Sequence, residues 1–284
     1  MTIAIWHDGR LRDPEEPLVT ALDHGLTVGD GVFETCAVLD GRVFALRRHL
    51  ARLARSAQGL GIALPEESVV LEGVAAVLAA APDAGRVRVT VTSGPGPLGS
   101  ARGEPGGGSL IVLAGPAAPP RPVRAVRVPW VRNERSAVVG IKTTSYAENV
   151  VALAAARAAG ADEAILANTV GELCEGTASN VFVERDGELL TPPLSSGCLA
   201  GVTRELVLEW GSEAGLPVRE AEPGELRHEV LGEVLAGRGH LAVTGSTRGL
   251  VPVVALDGHE IAPGALTLAV AEEFERRRRE TIDP

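Results

Sequence analysis

The sequence predicts a two-domain α+β protein, and three observations carry that reading. Short stretches such as RVRVTVTS (86–93) alternate with period two, the signature of half-buried strands. Elsewhere Leu46, Leu50, Leu53, Ala54, Ala57 and Leu60 recur at helical spacing. Between the two halves, GPAAPPRPVR places four prolines in ten residues, a semi-rigid extended linker. We therefore expect a small α/β domain over 1–114, a linker over 115–124 and a larger domain over 125–284.

The elements follow in order. IAIWHDGRL reads as a strand pair turning at Asp8-Gly9, and GVFETCAVLDGRVFAL as a second pair turning at Asp40-Gly41. A helix over 46–60 precedes a second one in EESVVLEGVAAVLAAA, started after Pro65 and closed by Pro82. RVRVTVTS and SLIVLAG are strands, and GPGPLGSARGEPGGG between them is a loop by composition. In the second domain the pattern gives a strand at VRAVRVPW, a strand end at Lys142, a helix at YAENVVALAAARAAG and strands at EAILAN, GELCE and NVFVER. Helices at TRELVLEWGSEAG and GELRHEVLGEVL, strands at HLAVTGS and VPVVALDG, and a last helix complete it. No internal repeat is visible.

Charge excludes several classes. Lys+Arg 27 against Asp+Glu 37 gives −10, which disfavours nucleic acid and anionic membranes as partners. The run Arg276–Arg279 ends a helical pattern, where cations suit the C-terminal dipole. Cys36, Cys174 and Cys198 form no CxxC pair, and the first residues show no signal peptide, so we expect a cytoplasmic protein. No apolar run is long enough to span a membrane. The six histidines show no paired ligand spacing, and no metal site is expected. Gly94-Pro95-Gly96-Pro97-Leu98-Gly99 matches GxGxxG, yet a dinucleotide fingerprint must open a helix, and two prolines delete amide donors.

The basic residues hold the informative exception. Of the 27 cations only Lys142 is lysine. Arginine keeps its proton in proteins, whereas a lysine amine can lose it and attack a carbonyl. A lone amine between an apolar segment and a helix suggests Schiff-base chemistry, for which pyridoxal phosphate (PLP) is the usual aldehyde. Such a cofactor needs an acid for its ring nitrogen and amides and hydroxyls for its phosphate. Glu175 offers the acid. Gly201-Val202-Thr203-Arg204, opening a helix, and Thr244-Gly245-Ser246-Thr247, following a strand, offer the rest.

GDGVFET (29–35), HLARL (49–53), IKTTSYAENV (141–150), ADEAILANTVGELCEGTASNVFVE (161–184), LLTPPLSSGCLAGVTREL (189–206) and VTGSTRGLVPVVALDG (243–258) together resemble the class IV aminotransferase family. They run in family order over nearly the whole chain. The resemblance implies the fold-type IV, D-amino-acid-aminotransferase-like architecture, with a mixed, barrel-like sheet in the larger domain, and a homodimer. It also implies roles. Lys142 would carry PLP and move the proton, and Glu175 would bind the ring nitrogen. Arg52 would clamp the phosphate with help from Val202, Thr203, Ser246 and Thr247, and Tyr146 would approach the cofactor hydroxyl.

Substrate-side residues match less well. Phe33-Glu34-Thr35-Cys36-Ala37 lacks the arginine of branched-chain enzymes, and VTSGPGPLGS lacks the Arg/His carboxylate trap of D-amino-acid enzymes. GDGVFET and KTTSYAEN look most like 4-amino-4-deoxychorismate lyases, which release pyruvate and 4-aminobenzoate for folate synthesis. The lyase reading leads, with an amino-acid transaminase (branched-chain or D-amino acid) as the alternative and a non-catalytic PLP-binding homologue behind both. Phe33 and Arg248 are the substrate-side candidates.

Overall fold

The computed structural model describes residues 2–103 and 108–284. It divides into two compact units. The first comprises Met1–Ala118 together with Ile141–Tyr146 and Ile282–Pro284, and the second Pro119–Gly140 and Ala147–Thr281.

In the first unit β1 (Ala4–His7), β2 (Arg10–Arg12), α1 (His24–Thr27), β3 (Gly31–Leu39), β4 (Arg42–Val43), α2 (Leu46–Leu60), α3 (Glu67–Ala80), β5 (Arg86–Thr92) and β6 (Leu110–Gly115) follow in order. The strands form one sheet, β2-β1-β6-β5-β3-β4. Asp8 and Asp40, each followed by glycine, take positive φ and turn the two expected hairpins. The pleat sends Val32, Cys36, Val38, Val87, Val89 and Val91 to a core shared with Leu53 and Ala57 of α2 and Val70, Val74 and Val77 of α3. The alternate residues of β3 and β5, among them Phe33, Arg88 and Thr90, point to the other face. Residues 94–103 form no helix, and 104–107 of the Gly-rich loop lie outside the described residues.

Residues 141–146 belong to this unit because β3 holds them. The Phe33 amide donates to Lys142 O (3.0 Å) and the Thr144 amide to Gly31 O (2.8 Å). Thr144 and Ser145 hydroxyls donate to Gly29 O, each at 2.9 Å. A Cβ at Gly29 or Gly31 would collide with Ser145 or Thr144, which explains the glycines of GDG. The expected apolar strand ending at Lys142 is corrected here. Residues 137–140 turn at Gly140 (φ +71), and Lys142 lies in an extended segment joined to β3 by the bridge Val32–Thr143.

The second unit runs β7 (Val123–Arg132), α4 (Ala147–Ala158), β8 (Glu163–Asn168), β9 (Leu173–Gly176), β10 (Asn180–Arg185), β11 (Glu188–Thr191), α5 (Val202–Glu213), β12 (Val218–Glu220), α6 (Val230–Leu235), β13 (His240–Gly245), β14 (Gly249–Leu256), β15 (His259–Glu260) and α7 (Ala265–Glu280). Its sheet is mixed: β11–β12, β14–β7 and β7–β8 are parallel and the other pairs antiparallel. Asn180 pairs with Glu175, joining β10 to β9 and closing β10, β13, β14, β7, β8 and β9 into a barrel. The core holds Ile165, Leu173, Val181, Val183, Leu241, Val243 and Val253. Outside it, Trp210 of α5 packs against Phe274 of α7, the rings tilted and their centres 5.3 Å apart.

The helix expected over 224–235 is shorter. Gly224 takes φ +83 and Glu172 bridges Arg227, so only Val230–Leu235 winds as helix. No helix among the described residues is long and apolar enough to cross a membrane.

Candidate active site

The predicted residues fall into two sets, one in each unit. Lys142, Tyr146, Phe33 and Arg52 lie in the first, and Glu175, Val202, Thr203, Ser246, Thr247 and Arg248 in the second.

In the first unit Lys142 is anchored at its backbone by its amide bond to Ser56 Oγ of α2 (3.2 Å). Its Nζ lies 4.5 Å from the Phe33 ring centre and 5.9 Å from that of Tyr146. Phe33 and Tyr146 meet edge to face at 5.2 Å and 77°. Sequence reasoning missed a second cation here. Arg88 Cζ lies 3.8 Å from the same Phe33 centroid, and its Nε donates to Thr90 Oγ1 at 3.2 Å. Burial pushes the Arg88 guanidinium below its ordinary range. No carboxylate among the described residues forms a salt bridge with it. A cation desolvated without an acid is costly, and an anionic ligand removes that cost.

Arg52 sits one helical turn beyond His49 on the inner face of α2. Its Nε and Nη2 donate to Glu34 Oε1 and Oε2 at 2.7 and 2.6 Å. His49 Nδ1 meets Glu34 Oε2 at 2.7 Å. Burial works to raise Glu34, but the Arg52 charge and the bonds from Arg52 and His49 reverse it and hold the carboxyl at about 2. Burial keeps His49 below its ordinary range, so the neutral ring donates Nδ1–H to an ionised carboxylate.

In the second unit Glu175 stands on β9, at the seam closing the barrel. Oε1 accepts from Arg132 Nε and Oε2 from the Leu199 amide, both at 3.0 Å. Arg132, on β7, also donates to Asn149 Oδ1 (3.2 Å). Val202 and Thr203 are buried in the first turn of α5, whose N-cap Gly201 makes no side-chain cap. A Cβ there would strike Asn180 Oδ1. Such a helix start can take an anion. Ser246 and Thr247 form the tight turn between β13 and β14. Arg248 follows them, and its Nη1 donates to Glu163 Oε2 at 3.1 Å.

A family model described as Amino-transferase class IV matches residues 31–256. The chain belongs to the class IV aminotransferases. Among the class IV relatives is a putative branched-chain-amino-acid aminotransferase of Methanocaldococcus jannaschii, 35% identical over 95% of this chain and 94% of its own. A bifunctional aminodeoxychorismate lyase / D-amino acid transaminase of Mycobacterium tuberculosis is 30% identical over 71% of this chain and 75% of its own. The solved branched-chain aminotransferase of Thermoproteus uzoniensis superposes with TM-score 0.82 and 33% identity, covering 96% of this chain and 93% of that one.

Class IV aminotransferases use PLP, and the protein is a PLP-dependent enzyme, a transaminase or a lyase. The donor sets described above fit that cofactor: an amine for an aldehyde, an acid for a pyridine nitrogen, and an uncapped helix start with hydroxyls for a phosphate.

Proposed function

We propose that the protein is an amino-acid transaminase in which Arg88 binds a substrate carboxylate. The observation carrying this reading is the pair of cations on one aromatic ring. Lys142 Nζ and Arg88 Cζ lie 4.5 and 3.8 Å from the Phe33 centroid, which gathers an amine and a guanidinium around one ring. The segment VTSGPGPLGS lacks the Arg/His carboxylate trap, which weakened transamination in the sequence. Arg88, inside the strand, supplies it. Arg248, the candidate nearest the β13–β14 turn, gives its Nη1 to Glu163.

The other roles rest on residue types and surroundings. Bound PLP supplies the aldehyde and the electron sink. Lys142 holds it and later moves the proton at the substrate Cα. Glu175, which accepts from Arg132 Nε and the Leu199 amide, holds the proton on the ring nitrogen. Arg52, Val202, Thr203, Ser246 and Thr247 take the phosphate. Tyr146, edge-on to Phe33, approaches the cofactor hydroxyl. We read the working enzyme as a cytoplasmic homodimer, on the resemblance and on three buried free cysteines.

One observation supports a second reading, 4-amino-4-deoxychorismate lyase: the bifunctional relative carries both activities in its name. A carboxylate on that substrate would also engage Arg88. The purified yellow enzyme separates the two. Bleaching by an amino acid, with recovery on adding a 2-oxo acid, supports transamination. Formation of 4-aminobenzoate from aminodeoxychorismate without an amino acceptor, and no bleaching by any amino acid, overturns it.

A further inference from the structure

We propose that Glu34, braced by His49, is a positioning residue that presets the Arg52 guanidinium for the cofactor phosphate. The inference rests on the phosphate role proposed for Arg52. Glu34 is fully buried on β3, on the core face of the sheet, where a strand built of Val32, Cys36 and Val38 would otherwise carry another apolar residue. His49 and Arg52, at 1% and 4% exposure, are buried with it.

Stability is a poor reason for such a trio. Desolvating an ion pair consumes most of its Coulomb energy, and apolar replacements of similar volume are often neutral or stabilising. Geometry is the better reason. The bidentate fork at 2.7 and 2.6 Å fixes the plane of the guanidinium, and thereby the direction of its remaining N–H donors. His49 removes the remaining slack: its Nδ1–H at 2.7 Å keeps Oε2 from rotating away. An arginine on a helix would otherwise lose side-chain entropy on meeting a phosphate, and preordering it removes that cost from binding.

Charge and geometry predict opposite effects, so one variant decides. If Glu34 merely neutralised Arg52, Glu34→Gln would leave a stronger cation and tighten phosphate binding. If it aims the guanidinium, the variant loosens it. The holoenzyme is resolved to its apo form and reloaded with PLP or with pyridoxal, which lacks the phosphate, following the visible band and cofactor fluorescence. We expect Glu34→Gln to weaken PLP about tenfold or more, the scale of one charge-assisted bond, and to leave pyridoxal unchanged. His49→Leu, which keeps the ion pair, shows the same selective loss to a smaller degree, and His49→Gln, which keeps an N–H donor, restores it. Equal weakening of PLP and pyridoxal, or PLP binding unchanged or tightened in Glu34→Gln, overturns the proposal. Arg52→Ala is the separate control. If that variant retains the preference for PLP over pyridoxal, the phosphate role of Arg52 itself fails.

Discussion

Lys142 and Phe33 are packed together, with the amine 4.5 Å from the ring centre and the Phe33 amide bonded to the Lys142 carbonyl. One residue of β3 therefore fixes the lysine twice, at its backbone and at its Nζ. An ammonium over a ring face is favoured, the more so when water is excluded. Arg88 Cζ lies 3.8 Å from the same ring centre, so one aromatic ring meets two cations.

Arg88→Leu should raise KM for the amino donor and for the 2-oxo acid alike, by about tenfold to a hundredfold, the loss of one charge-assisted pair. The visible band of the bound cofactor should persist. Arg88→Lys should recover only part, since an ammonium lacks the planar fork. Steady-state kinetics with both substrates check this, and an unchanged KM would remove Arg88 from the site.

Glu163 anchors the turn that follows Glu175. Its buried carboxylate accepts from the Thr177 hydroxyl, the Ala178 amide (3.1 Å) and Arg248 (3.1 Å). Glu163→Gln leaves a donor where acceptors are needed and a cation without its acid. Urea unfolding should show a loss of about 2–3 kcal/mol. A loss within about 0.5 kcal/mol, the scale of a surface change, would contradict the anchoring role.

Acid should act on Glu34. The carboxyl sits at about 2 in the fold, below its ordinary 4.5, so folding favours the ionised form. That contribution is complete above pH 4.5 and is lost as pH falls from 4.5 towards 2. Unfolding free energy measured across that window should fall less steeply for Glu34→Gln than for the wild type. Parallel slopes would show that Glu34 is not held low.

Thiol reagents should find nothing to attack. Burial raises all three cysteines, Cys198 to about 11. A thiol held protonated is a poor nucleophile. An Ellman titration of the native protein at pH 8 should be silent and should report three thiols after denaturation. A fast native reaction would show that one of these sites opens.

Lys142 was legible in the sequence because chemistry and composition coincide in a single residue, and Glu175 because a strand ends there in a Gly/Ser/Asn turn. Arg88 was not. At period two in RVRVTVT it looks like a solvent-side residue, and only the pairing of β3 with β5 sets it diagonal to Phe33. The bonds that tie His49 and Arg52 to Glu34 were hidden for the same reason, since contacts across 15 and 18 residues depend on how α2 lies on the sheet. Arg132, bonded to Glu175 across 43 residues, depends on the closure of the barrel. The strand and helix patterns were mostly readable, and they failed where glycine redirects the chain, at Gly140 and Gly224.

The helix carrying His49 and Arg52 is started by residues from the far end of the sequence. Ala45, left-handed at the N-cap of α2, offers no side-chain cap. Asp283 supplies one instead, accepting from the Arg47 amide (3.0 Å), while the Ala45 amide donates to Ile282 O (2.8 Å). The accompanying ion pair from Arg47 Nε to Asp283 is exposed on the arginine side and adds little. Capping is the larger effect, and Asp283→Asn, which keeps an acceptor, should be milder than Asp283→Ala. We expect the alanine variant to lose about 1 kcal/mol of stability. The amides in the first turn of α2 should also exchange faster. Exchange unchanged at 46–48 would mean that residues 282–284 do not hold the start of that helix.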